Sequence, residues 1–197
     1  MMRFGRVEIS GGFFLLAAWL NYLDPAFLVP MAAVACTAHE LGHFVAIYLL
    51  NGDVKLIRLT VVGAEMVLEH PFGYWQEGLC ALAGPGVNLL LAFLCCEFER
   101  GLVFAGLNLA LALFNLLPIG RLDGGRALYC TLALLTGQGL AARVCIWLNR
   151  LCSGSALAAG FLLAAERGNI TLLLTALWLV SAQLQCEFTL WKDKFYV

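Results

Sequence analysis

Charged residues in this chain gather at the edges of long apolar runs, and that arrangement limits its fold more tightly than any other feature. Only 13% of the 197 residues are charged while 62% are hydrophobic, against roughly 25% charged in an ordinary soluble domain. A hydrocarbon layer about 30 Å thick takes about 20 apolar residues per helical crossing. Six uncharged stretches approach or exceed that length, at about 11–23, 26–50, 78–96, 101–118, 144–165 and 169–186. The first is short and runs into Asn21 and Asp24, and the fifth carries Arg150 near one end. Arg3 and Arg6 before an apolar stretch look superficially like a secretory leader, but no small-residue cleavage site follows, so this stretch reads as a retained membrane helix. The expectation is an all-α polytopic membrane protein with about six transmembrane helices, forming a single domain over 1–197.

Between the second and third stretches, β-branched residues mix with charges from Val54 to Val62 before Gly63 interrupts. That composition predicts a small β-hairpin, although an irregular polar loop fits it as well. Orientation follows from the cations. With the N-terminus cytoplasmic, ten of the 12 lysines and arginines fall inside and only Arg100 and Arg167 fall outside, which satisfies the positive-inside bias. Both termini and the hairpin then lie on the cytoplasmic side. The stretch 125–149 is expected to begin as a surface helix there, because Arg143 and Arg150 share one helical face. A net charge of −1 leaves no basic surface for a phosphate backbone, so nucleic acid is excluded as a partner. The eight cysteines form no C-x-x-C pair and sit in or beside apolar segments, which argues against a disulfide framework.

Almost the only ionisable groups deep in the apolar stretches are His39, Glu40 and His43. Ionisable side chains are expensive in hydrocarbon, so their default reading is a functional site. Their order, His39-Glu40-Leu41-Gly42-His43, is H-E-x-x-H. Four residues along a helix turn through about 400°, so the two imidazoles point the same way, one turn apart, as a clamp for a metal. Glu40 lies about 100° around the axis, placed to act as a general base on a water at the metal. Catalytic zinc usually keeps three protein ligands, so a third must come from elsewhere. His70 sits in a polar stretch; Asp123 is the better candidate, since Pro118 ends or kinks the preceding helix and Gly120, Gly124 and Gly125 permit a tight return to membrane depth. Glu65 and Glu69 remain alternatives. His43 precedes Leu50 by seven residues, which puts the metal roughly 10 Å inside the cytoplasmic end of its helix.

These residues resemble the site-2 protease family of intramembrane zinc metalloproteases. The resemblance rests on His39-Glu40-Leu41-Gly42-His43, on Ala83-Gly84-Pro85-Gly86-Val87-Asn88, and on Asn115-Leu116-Leu117-Pro118 leading to Leu122-Asp123-Gly124-Gly125, together covering about 26–125. It implies one zinc ion per chain on His39, His43 and Asp123, with Glu40 as the acid/base and Asn88 and Asn115 as supporting polar groups near substrate or metal. Within the family, the six-span layout looks most like the branch of endospore-forming bacteria that processes a pro-sigma factor, here with neither a PDZ-like insertion nor that branch's nucleotide-sensing CBS domain. The implied setting is a bacterial cell membrane. The implied partners are a membrane-associated protein substrate, such as a pro-sigma factor or another transmembrane regulator, and a membrane inhibitor protein. A metal transporter or metal-sensing membrane protein is the rival reading, because it too places histidine and carboxylate inside helices; against it, no chain of further ligands marks a path across the bilayer.

Overall fold

The structure is a computed structural model, and it describes residues 2–4, 7–9, 21–22, 24, 27–60, 63–120, 122–167, 173–177 and 180. Most of the first expected membrane stretch, and most of the sixth, lie outside these residues. The chain divides into two compact units, Met1–Asn115 and Leu116–Val197.

The first unit joins a small sheet to three helices. Strands β1 (Met2–Phe4), β2 (Val7–Ile9), β3 (Val54–Thr60) and β4 (Gly63–Leu68) pair in that order. The expected hairpin is β3 with β4, antiparallel, with Val54 opposite Leu68 and a register shift between Val54 and Leu56. The sheet is nevertheless larger than a hairpin. β2 runs parallel to β3, with Glu8 opposite Arg58, and β1 folds back antiparallel on β2. Arg58 donates from Nε to the Glu8 carboxylate at 3.3 Å, a partly exposed link worth about 1 kcal/mol at most that marks the register rather than holding it.

The helices are α1 (Leu28–Leu49), α2 (Tyr74–Cys95) and α3 (Leu102–Asn115), the last preceded by a 3-10 turn at Glu99–Gly101. The start of α1 is satisfied by Asp24, whose carboxylate accepts the Val29 N–H at 2.6 Å, relieving one of the unpaired donors of a first helical turn. Gln76 reaches back to the Gly73 N–H at 3.1 Å and does the same for α2. In the second unit α4 (Asp123–Thr136) packs on α5 (Gln138–Arg167), the two separated only by Gly137 at φ +84°. The stretch 125–149, expected to begin as a surface helix, is divided between α4 and the first part of α5; Arg143 and Arg150 both lie on α5, which is longer than the expected fifth stretch.

Three of the described helices, α1, α2 and α5, are long and apolar enough to cross a bilayer, and the chain is an integral membrane protein. Helix α3 is apolar but only 14 residues long, about 21 Å at 1.5 Å per residue, short of the hydrocarbon thickness. Burial is inverted relative to a soluble protein. Large apolar side chains such as Leu41, Val45, Leu90, Phe93 and Leu113 face outward, while the interior of the first unit holds Ala35, Ala81, Ala92, Ala105, Ala112, Asn88 and Asn108. Lipid is as apolar as leucine, so helices in it associate through close packing of small residues and interhelical hydrogen bonds. Gly42 marks a close approach of α1 to α2: a methyl group there would lie 2.8 Å from the Ala83 carbonyl oxygen and 2.9 Å from Val87 Cγ2. Gly42→Leu is therefore expected to lower stability by about 1–3 kcal/mol through overpacking, whereas Leu41→Ala, at a 55% exposed position beside it, stays within about 0.5 kcal/mol; thermal unfolding in detergent micelles measures both.

Candidate metal centre

His39 and His43 stand one turn apart on α1, the first buried and the second half-buried. Their second ring nitrogens are held by α2. His39 Nδ1 lies 2.6 Å from the side-chain oxygen of Asn88, and His43 Nδ1 lies 2.7 Å from the Cys80 carbonyl oxygen. The orientation of Asn88 is fixed by its own nitrogen, which donates to the Ala35 carbonyl at 3.1 Å and to Asn108 Oδ1 at 2.7 Å. An amide oxygen and a backbone carbonyl only accept. Each imidazole therefore carries its proton on Nδ1 and presents a lone pair at Nε2.

Those two Nε2 atoms are 3.1 Å apart, with the ring planes at 84°. Two lone pairs at that range repel unless positive charge lies between them. Two nitrogens each about 2.0–2.1 Å from a tetrahedral zinc stand roughly 3.3 Å apart, so the spacing matches a shared ion. Beside them the wall of α2 is bare. A methyl group on Gly84 would collide with His43 Nε2 and lie 2.8 Å from His39 Nε2, so only glycine leaves room for a third body against both nitrogens. Glycine's neighbour Pro85 has no N–H to return to Ala81, one residue from the carbonyl that accepts from His43.

Asp123 opens α4. It is buried, 7% exposed, in the first turn of a helix, where backbone N–H groups favour negative charge. Arg126 places Nη1 3.6 Å from its Oδ1. The loop before it turns back tightly, with the Ile119 carbonyl accepting the Leu122 N–H at 2.8 Å; side chains at Gly124 and Gly125 would strike the Leu116 and Ile119 backbones. Among the described residues, His39 and His43 of the first unit each offer a ring nitrogen and Asp123 of the second offers a carboxylate oxygen, the donor types able to hold a metal ion. Two nitrogens and one carboxylate oxygen suit zinc and leave a position open.

Of the other expected site residues, Glu40 follows His39 on α1 and is half-buried. Asn88 touches His39 directly. Asn115 ends α3 and donates to its own helix at Leu111, 3.0 Å away. His70 and Glu69 are exposed after β4, outside the group, and the side chain of Glu65 is not described. Sequence reasoning missed Asn108, although an asparagine two turns before Asn115 inside an apolar stretch was a visible signal. It also missed the Cys80 carbonyl, which no residue type announces. The seven described cysteines are free thiols.

No family model matches the sequence. Two curated relatives carry the name "Putative zinc metalloprotease". One is sll0528 of Synechocystis sp. (strain ATCC 27184 / PCC 6803 / Kazusa), 36% identical over 144 residues, a match covering 66% of this chain and 36% of that protein. The other is YwhC of Bacillus subtilis (strain 168), 30% identical over 145 residues, covering 51% of this chain and 66% of that protein. The chain thus spans about a third of the length of the first and about two thirds of the second. Among solved structures, a site-2 protease from Methanocaldococcus jannaschii superposes with a TM-score of 0.66 at 22% identity, covering 91% of this chain and 90% of that one; this likeness establishes the fold. The bare wall at Gly84 has a direct test. Gly84→Ala should weaken zinc binding at least about tenfold while leaving helix content unchanged, as read by competition with a chromophoric chelator and by circular dichroism.

Proposed function

We propose that the chain is a member of the site-2 protease family and an intramembrane zinc metalloprotease, hydrolysing peptide bonds of membrane-associated proteins at or near the cytoplasmic edge of the bilayer. The observation that carries this reading is the pair of Nε2 atoms 3.1 Å apart, their rings locked through Nδ1 and faced by a glycine. His39, His43 and Asp123 would hold one zinc ion, and Glu40 lies beside them on the helix. Bound zinc supplies Lewis acidity, lowering the pKa of water towards about 7 and polarising a carbonyl.

Glu40 takes the proton from the attacking water as its oxygen bonds to the scissile carbonyl carbon. The same carboxyl returns that proton to the amine nitrogen as the C–N bond breaks. Asn88, bonded to His39 Nδ1 and held in its turn by the Ala35 carbonyl and Asn108, keeps the imidazole from turning during either step. A substrate helix must first unwind, because its carbonyls are already bonded internally. Strand β4, at an edge of the sheet, offers main-chain groups that would hold such a segment extended. Proline at Met66 or at Val67, one of which points its N–H away from β3, should then slow cleavage in folded protein; unchanged rates at both positions remove the strand from the mechanism.

The same reading places the chain in a bacterial cell membrane with both termini cytoplasmic, acting on a pro-sigma factor or another transmembrane regulator, under the control of a membrane inhibitor protein. Glu40→Gln separates the protease from a metal transporter. Zinc should remain bound and cleavage should fall by at least about 100-fold, whereas a transporter keeps most of its flux. Capture of substrate by that variant, followed by mass spectrometry, identifies the partner; a Glu40→Gln protein that still cleaves ends the proposal.

A further inference from the structure

Asn108 is fully buried in α3, a helix whose remaining residues are almost all apolar. A buried amide costs free energy unless both of its ends are bonded, and here both are. Its nitrogen donates to the Phe104 carbonyl at 2.9 Å, and its oxygen accepts from Asn88 at 2.7 Å. Each bond has a direction that fixes the next. Because Phe104 takes the nitrogen, Oδ1 of Asn108 must face Asn88. Because Asn88 spends both N–H groups on Asn108 and Ala35, its own oxygen must face His39. His39 must then carry its proton on Nδ1 and offer Nε2 as a lone pair.

We propose that Asn108 is a positioning residue of the metal centre, the far end of a three-residue relay that sets which nitrogen of His39 carries the proton. The inference rests on the zinc-site reading above. Its physical content lies in the alternative it suppresses. If Asn88 rotated by 180°, its nitrogen would donate to His39 Nδ1 and drive the ring proton onto Nε2, where it would face His43 and block a ligand bond. With Asn108 present, that rotation sets the Asn88 oxygen against two acceptors, Ala35 O and Asn108 Oδ1. Without Asn108 only Ala35 opposes it, and one Asn88 N–H is stranded in an apolar interior. A bridging asparagine that merely tied α3 to α2 would care about neither the tautomer nor the ion.

The test uses the full chain in detergent micelles. Asn108→Ser is the informative change, because a serine hydroxyl can satisfy itself on the Phe104 carbonyl one turn back yet is too short to reach Asn88. It should leave the melting transition cooperative and weaken zinc binding about tenfold in chelator competition, within the range of outer-shell substitutions. In metal-free protein, nitrogen-15 spectra of the three histidines should pass from a single Nδ1-protonated His39 to a mixture of tautomers. Asn108→Asp, held protonated by the apolar interior, keeps an acceptor towards Asn88 and donates its O–H to the Phe104 carbonyl in place of the amide nitrogen, and should stay within about threefold of the parent affinity. In an Asn88→Ala background the serine change should add less than about twofold, since the link it breaks is already gone.

Unaltered zinc affinity and an unaltered His39 tautomer in Asn108→Ser overturn the proposal, as does a cost that multiplies with Asn88→Ala. If Asn108→Ser does not fold, Asn108→Asp decides alone: a tenfold loss there overturns it. None of these readouts requires cleavage. A chain whose zinc affinity follows Asn108 but which cuts no substrate refutes the protease and leaves the relay standing, and if the parent binds no zinc, the tautomer in metal-free protein still rules on the relay.

Discussion

Helices that meet in hydrocarbon gain almost nothing by excluding lipid tails, so α1, α2 and α3 must be joined by backbone proximity and by hydrogen bonds that cross between them. Both devices converge on one stretch of α2. Gly42 lets α1 come down onto Ala83 and Val87, and Asn88, a few residues along, grips α1 at two points a turn apart, the Ala35 carbonyl and the His39 ring. The contacts that close the bundle are therefore the contacts that aim the imidazoles. A soluble protein can assign packing to leucines and chemistry to polar residues in a separate cleft; in this unit, the large apolar residues face outward and the polar ones serve both ends.

This sharing explains why the neighbourhood of His39 and His43 is so densely satisfied. An unpaired amide in such an interior is costly, and each of Asn88 and Asn108 has donors and acceptors allotted in one consistent order. The second unit solves a different problem. Its aspartate is delivered by a loop whose backbone turns back on itself where Gly124 and Gly125 leave no side chain in the way, and the first turn of α4 then gives the carboxylate a favourable electrostatic setting.

Much of this could be read from the residues, and the limits have physical causes. The clamp of His39 and His43 was legible because i, i+4 spacing on a helix is a geometric identity that needs no tertiary information. The span of α1 was legible because hydropathy depends only on composition. The β3 and β4 hairpin was visible in its β-branched composition and in Gly63, since hairpins pair locally. β1 and β2 were not, for two three-residue strands carry no measurable periodicity, and β2 finds its parallel partner some fifty residues away. Asn88 was anticipated as a support through its motif, but its partner was not. That Asn108 rather than Asn115 bonds to it depends on how α3 is rotated about its axis, a quantity set by packing. The Cys80 carbonyl is legible nowhere, because every residue has one.

The double duty of Asn88 ties the ion to the architecture through mass action. Whatever binds the folded form and not the unfolded one adds RT ln(1 + [L]/Kd) to stability, about 4 kcal/mol at a thousandfold excess over Kd, and here that increment falls on the joint between α1 and α2. Starvation for the ion would then shorten the lifetime of the assembled bundle as well as silence its chemistry. Turnover of the protein by quality-control proteases would rise as the cell's metal supply falls.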